Sequence, residues 1–160
     1  MINVRCPIPH RLWNAACLSF TVFLAGCGGV SDQPELGQVE GNVTLGGKPL
    51  AGASVVFQPE KGRPSFGTTD ENGHYQLSYK EDVPGAAVGR HAVAITTYQE
   101  GDPGADDPAL QKSRKEEVPA QYNRKTTLTA EVKPGDNEPI NFDLQTGGEI
   151  LSPNEVDPDE

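Results

Sequence analysis

Val39-Glu40-Gly41-Asn42-Val43-Thr44-Leu45, then Gly46-Gly47-Lys48-Pro49, then Leu50-Ala51-Gly52-Ala53-Ser54-Val55-Val56-Phe57 is the stretch whose reading decides the fold. Val39, Gly41, Val43 and Leu45 alternate with Glu40, Asn42 and Thr44, the two-residue period of a strand with one buried face. Gly46 to Pro49 break that strand, and Ser54-Val55-Val56-Phe57 begins another. Two strands alone are marginal in water, so the other apolar segments must complete a sheet structure.

Working outward, Ser65-Phe66-Gly67-Thr68 reads as a short strand, and Thr69-Asp70-Glu71-Asn72-Gly73 as a tight hairpin turn with Asn-Gly supplying positive φ. His74-Tyr75-Gln76-Leu77-Ser78-Tyr79 alternates, with Tyr75, Leu77 and Tyr79 on one face. Gly85 and Gly89 bracket a turn. Residues 90–98 are the most β-rich stretch, with Val93, Ile95 and Thr97 on one side, and predict a central strand. Leu128-Thr129-Ala130-Glu131-Val132 and Ile140-Asn141-Phe142-Asp143-Leu144 supply the last strands, separated by a turn at 133–137. Between residues 99 and 126 the period disappears; Asp107-Pro108 predicts a helix cap followed by a short helix over 109–116. So long a connection is either mobile or functional.

Seven strands spaced by turns, with no sustained helical period, predict an all-β fold, a seven-stranded Greek-key β-sandwich. Glycine (18) and proline (14) are abundant, as turns require, and with aromatics at 6% the core must come mainly from Val, Ile and Leu. The 160 residues allow one domain with tails. A net charge of −10 argues against a nucleic-acid partner, which needs clustered Lys and Arg.

Arg5 and Arg11 precede a run over 13–26 that is uncharged, mostly apolar and too short for a membrane span of about 20 residues. A basic region, an apolar region and small residues before a cleavage point describe a secretory signal. Its end, Leu24-Ala25-Gly26-Cys27, resembles the lipobox of bacterial lipoproteins. That resemblance implies diacylglyceryl attachment to the Cys27 sulfur and cleavage before it. A plain signal, or an uncleaved anchor helix with a chance cysteine, is the competing reading. Removal of 1–26 takes Cys6 and Cys17, leaving no intrachain disulfide. It also removes Arg5 and Arg11 and no acid, moving the charge from −10 to −12. The expected organisation is a lipoprotein signal peptide at 1–26, a flexible tether at 27–37, a sandwich domain at 38–144 and an acidic disordered tail at 145–160.

Val39-Glu40-Gly41-Asn42-Val43, Gly47-Lys48-Pro49-Leu50-Ala51-Gly52-Ala53, Thr69-Asp70-Glu71-Asn72-Gly73-His74-Tyr75 and Gly89-Arg90-His91-Ala92-Val93 resemble the carboxypeptidase regulatory-like, or transthyretin-like, β-sandwich domain. Val118-Pro119-Ala120-Gln121-Tyr122-Asn123 is similar to small lipoproteins of this type abundant in planctomycetes. The resemblance implies a mostly non-enzymatic accessory or binding module. It thus points to the cell envelope, to a membrane reached through the lipid anchor, and to an unknown envelope protein or glycan as partner.

Candidate sites are each weighed against a bland reading. Asp70, Asn72 and His74, with Glu81 beyond, alternate as ligands might, but a calcium loop needs glycine where Tyr75 stands, so a hairpin turn is favoured. Glu100, Asp102, Asp106 and Asp107 are read as a solvated charge run, and His91 as a partly buried structural residue at a sheet end. No catalytic, cofactor-binding or metal-binding residue is assigned. Hydroxyisourate hydrolases of the transthyretin type end in Tyr-Arg-Gly-Ser, whereas the last strand here ends Asn141-Phe142-Asp143-Leu144. Exposed Tyr98, Tyr122 or the 99–126 loop are the alternative, as a carbohydrate or peptide site. Asn42-Val43-Thr44 matches a glycosylation sequon within a predicted strand and is discounted.

Overall fold

The computed structural model describes residues 33–107 and 111–151. The expected signal peptide and Cys27 lie outside the described residues. In chain order the strands are β1 (Leu36–Gln38), β2 (Glu40–Leu45), β3 (Lys48–Pro49), β4 (Ser54–Pro59), β5 (Ser65–Thr68) and β6 (His74–Gln76). There follow β7 (Ser78–Lys80), β8 (Val83–Pro84), β9 (Ala86–Ala87), β10 (Gly89–Thr96), β11 (Thr129–Val132), β12 (Gly135–Asp136) and β13 (Phe142–Leu144). A 3₁₀ turn at Ala120–Tyr122 is the helical element among the described residues.

The chain is all-β, in several sheets. One sheet has six strands in the order β11-β10-β4-β5-β7-β8, each neighbour antiparallel. A second runs β13-β2-β3 with β6 also on β2, and a third runs β12-β1-β9. The last strands close on the first in parallel: Phe142 stands opposite Val43, and Gly135 opposite Gly37.

Thirteen strands replace seven apolar runs because single residues hand the chain between sheets at two corners, and because the turn segments add the two-residue strands β3, β8, β9 and β12. Val39 separates β1 from β2. Leu77 separates β6, which pairs with β2, from β7, which pairs with β5. The Leu77 amide donates to the Val39 carbonyl at 3.0 Å and the Gly85 amide to the Leu77 carbonyl at 2.7 Å, so these corners are themselves hydrogen-bonded. Likewise, the glycine turn after β2 does not lead straight into the next long strand. Gly46 and Gly47, at φ 58° and 77°, form a two-residue turn that folds β3 back on β2, the left-handed geometry a tight hairpin requires. The chain then crosses to the six-stranded sheet at β4.

Side chains from all three sheets meet in one core that includes Val39, Val43, Val55, Leu77, Val93, Ile95, Val132 and Leu144. Its centre is aromatic despite the low aromatic content: Phe57 lies 6.4 Å from Tyr75 and 6.2 Å from Phe142, ring centre to ring centre. Each large side chain removed from water contributes about 1.5–3 kcal/mol. The buried Tyr75 hydroxyl donates to the Ile140 carbonyl at 2.7 Å, and burial pushes its pKa up.

Two expectations need correction. Residues 111–116, the described part of the predicted helix, hold a turn, a bend and an isolated bridge in place of helix. Arg114 and Glu116 find partners on β10's extension and on the β3–β4 connection, and those contacts need extended backbone. In the segment 145–160, expected to be solvated, residues 145–150 are exposed, but Leu151 is buried and the Ala120 amide donates to the Glu149 carbonyl at 2.8 Å.

Candidate binding surface

The aperiodic segment after β10 is tied down at its neck by one carboxylate. Glu116 Oε1 accepts hydrogen bonds from the Thr97 amide (2.9 Å), the Thr97 hydroxyl (2.8 Å) and the Val118 amide (3.0 Å), and Oε2 accepts one from the Thr96 hydroxyl. Burial alone would raise its pKa, but these donors together hold it below the ordinary value. Further out, Gln99 and Arg114 form a bridge, and Arg114 Nη1 donates to the Ala51 and Gly52 carbonyls, both at 2.9 Å. Glu116 is thus a structural clamp. Of the acids in the loop it closes, Asp102 accepts the Gly104 amide at 2.9 Å. Among the described residues no group of three or more His, Cys, Asp or Glu is arranged to hold a metal ion.

Asp70 is likewise committed to backbone. Its Oδ1 accepts the Asn72 and His74 amides at 2.8 and 2.9 Å, which lowers its pKa. Gly73 supplies the expected positive φ, at 77°, and the Gly73 amide donates to the Asp70 carbonyl at 3.0 Å and the Asp70 amide to the His74 carbonyl at 2.8 Å, so the turn is tight as expected, although the strands it joins pair in different sheets. His74 lies 3.9 Å from Glu40, both well exposed. Glu81 is exposed in the β7–β8 turn.

His91 sits on the inner face of β10 opposite Pro59, the last residue of β4, so it lies at a sheet end as expected, but at 1% exposed it is buried more fully than expected. Its Nδ1 bonds the Gly89 carbonyl at 3.0 Å, so that nitrogen carries the proton, while Nε2 is buried without a partner against Phe57. Burial lowers its pKa, opposed by the Gly89 bond and the Glu131 charge. Tyr122 packs on the core and its hydroxyl accepts the Gln145 amide at 3.2 Å. Tyr98 is half-buried.

The surface the sequence did not single out is the outer face of the six-stranded sheet. Strand β5 is wired in reverse: Ser65 points inward, 1% exposed with no partner for its hydroxyl, while Phe66 points outward and is 49% exposed. The register is held by its neighbours. Ser65 stands opposite the buried Phe57, and a Cβ on Gly67 would lie 2.6 Å from the Gln76 carbonyl oxygen, so nothing larger than glycine fits inward there. Phe66 stands between Val56 on β4 and Ser78 on β7, and Val56 stands opposite Ala94 on β10. Ser54 and Thr68 form the next row. None of these six carries a charge; the flanking charges are Lys80, Glu60, the Arg90–Glu131 pair and, bonded to Thr96 opposite Ser54, Glu116. A signal was present in the sequence, since Ser-Phe-Gly-Thr alternates with its apolar member out of phase with glycine, but the phase is invisible without the partner strands. Compared with family models, with curated proteins and with solved structures, the chain has no match.

Proposed function

We propose that this chain is a lipid-anchored, non-catalytic module of the cell envelope with a structural or protein-interaction role, its strands forming a transthyretin-like Greek-key sandwich. The observation that carries the reading is Leu24-Ala25-Gly26-Cys27 at the end of an uncharged apolar run. Two acyl chains at about 0.8 kcal/mol per buried methylene hold a protein stably on a bilayer. With a processed charge of −12, the acidic body stands off an anionic membrane on its 27–37 tether. The burial of His91 supports the non-catalytic part, because an imidazole 1% exposed has no access to a substrate. Packing of Tyr122 on the core and the Glu116 clamp on the loop leave little to favour a sugar or peptide site there.

The test is metabolic labelling with a radioactive fatty acid. Labelling and membrane retention are expected for the wild type and lost in Cys27→Ala; unchanged labelling and retention in that variant would refute the anchor.

A further inference from the structure

Strand β5 sacrifices stability at its first two positions, Ser65 and Phe66. A buried hydroxyl without a partner costs about 1–3 kcal/mol, and the exposed Phe66 ring forgoes the burial that the same residue type receives at Phe57. Positions where a strand violates its own burial rule are where function is expected to compete with stability. We infer that the outer face of β10, β4, β5 and β7, centred on Phe66, is a binding platform for a neutral saccharide chain.

Three features choose that occupant. The face is solvent-facing sheet with one exposed ring, in register with Val56 and Ala94, and the electron-rich face of an aromatic ring attracts the polarised C–H bonds on the flat side of a sugar. Ser54, Thr68 and Ser78 add hydroxyls on the same side, each able to donate and accept, which suits a ligand made of hydroxyls. The residues around the ring are uncharged, while the same face carries both signs at its rim, Lys80 on β7, Arg90 on β10 and Glu116 bonded to Thr96, so neither an acidic nor a basic partner is selected. Size argues against a second copy of the chain. Four strands spaced about 4.8 Å apart and three rows spaced about 6.8 Å span on the order of 400 Å², about half the ~800 Å² per partner of a stable protein interface. A sugar chain lying across the strands needs no more than that area.

This inference rests on the proposed role as a non-catalytic envelope module and names its partner. The test uses the full lipidated chain in micelles of a zwitterionic detergent without a sugar headgroup. It is run through native gels containing hydroxyethyl cellulose, dextran or a β-1,3-glucan, with sedimentation in parallel. The expected result is retardation by at least one polysaccharide, weakened about tenfold by Phe66→Ala, the scale of one lost ring stack, and kept by Phe66→Trp. Retardation by none of the three, or equal retardation of Phe66→Ala, overturns the proposal. So does sedimentation as a dimer that Phe66→Ala abolishes, because the occupant is then a second copy. Release of reducing ends from a retarding polysaccharide would support the saccharide site while overturning the non-catalytic reading.

Discussion

Phe57 and Phe66 lie on neighbouring antiparallel strands of one sheet, yet the first is fully buried and the second is 49% exposed. Local sequence treats them alike, each a phenylalanine within a short run of strand-forming pattern. What separates them is phase. Phe57 shares its face with Val55 and stands opposite Val93, so its ring enters the core and meets Tyr75, His91 and Phe142. Phe66 is out of phase with Gly67, whose inward side has no room, and so the ring is turned to solvent. A residue's neighbours across the sheet, more than its own hydrophobicity, decide what it does.

The widest gap between the two regions should appear in stability. Phe57→Ala leaves a ring-sized void among three aromatic side chains and is expected to cost about 3–5 kcal/mol. Phe66→Thr, on an outer face where β-branched residues are favoured, is expected to change stability by less than about 0.5 kcal/mol. Urea unfolding midpoints at constant slope measure both. Similar losses for the two would break the comparison, since Phe66 would then be a core residue.

Next in size is the clamp that holds the loop against β10. Glu116→Ala strands the Thr97 and Val118 amides and is expected to cost about 2–3 kcal/mol at neutral pH. The wild-type carboxyl has a lowered pKa when folded, so its contribution is complete above its ordinary value of 4.5. It is lost as pH falls through the folded value. The difference between wild type and Glu116→Ala should therefore shrink on acidification below about pH 4.5. A pH-independent difference would mean that Glu116 acts by packing alone.

His91 tests the inner face of β10 in a separate window. Its pKa is lowered by burial, so between the folded value and its ordinary 6.5 the unfolded chain binds a proton that the folded chain refuses. Stability is complete above about pH 6.5 and falls as pH drops, by at most about 1.4 kcal/mol per unit. His91→Phe removes both the proton site and the unpartnered Nε2, and should flatten the unfolding midpoint between about pH 7 and pH 5. An unchanged slope would place the titrating group elsewhere.

These sites also mark how far residue order could be read. β10 is paired on both sides, and its inner row His91, Val93 and Ile95, continued by Thr97 just beyond it, is buried as the alternation demands, so strand, faces and central position were all readable. The Glu116 clamp was not readable, because its partners Thr96 and Thr97 lie about twenty residues away and no local period links them. The 145–151 segment read as solvated because acids dominate the 145–160 composition. Composition does not register that one residue, Leu151, finds a cover, or that a single Glu149 carbonyl pairs with Ala120. The face around Phe66 escaped for the same reason as the clamp: its phase belongs to the sheet.

One further expected effect carries the opposite sign and bears most directly on that phase. Ser65→Ala keeps the β5 backbone, removes a buried hydroxyl that has no partner, and adds no volume to the space opposite Phe57. It should raise stability by about 1 kcal/mol, the desolvation cost of a hydroxyl no longer incurred. Phe66 should remain exposed, because Gly67 and the pairing with β4 still hold the register. Urea unfolding and the accessibility of the Phe66 ring to a soluble aromatic quencher in NMR read the two halves of this outcome. A loss of stability in Ser65→Ala would show that the hydroxyl is satisfied in solution. The reversed strand would then carry no penalty, and the contrast between Phe57 and Phe66 would reduce to geometry without a trade-off.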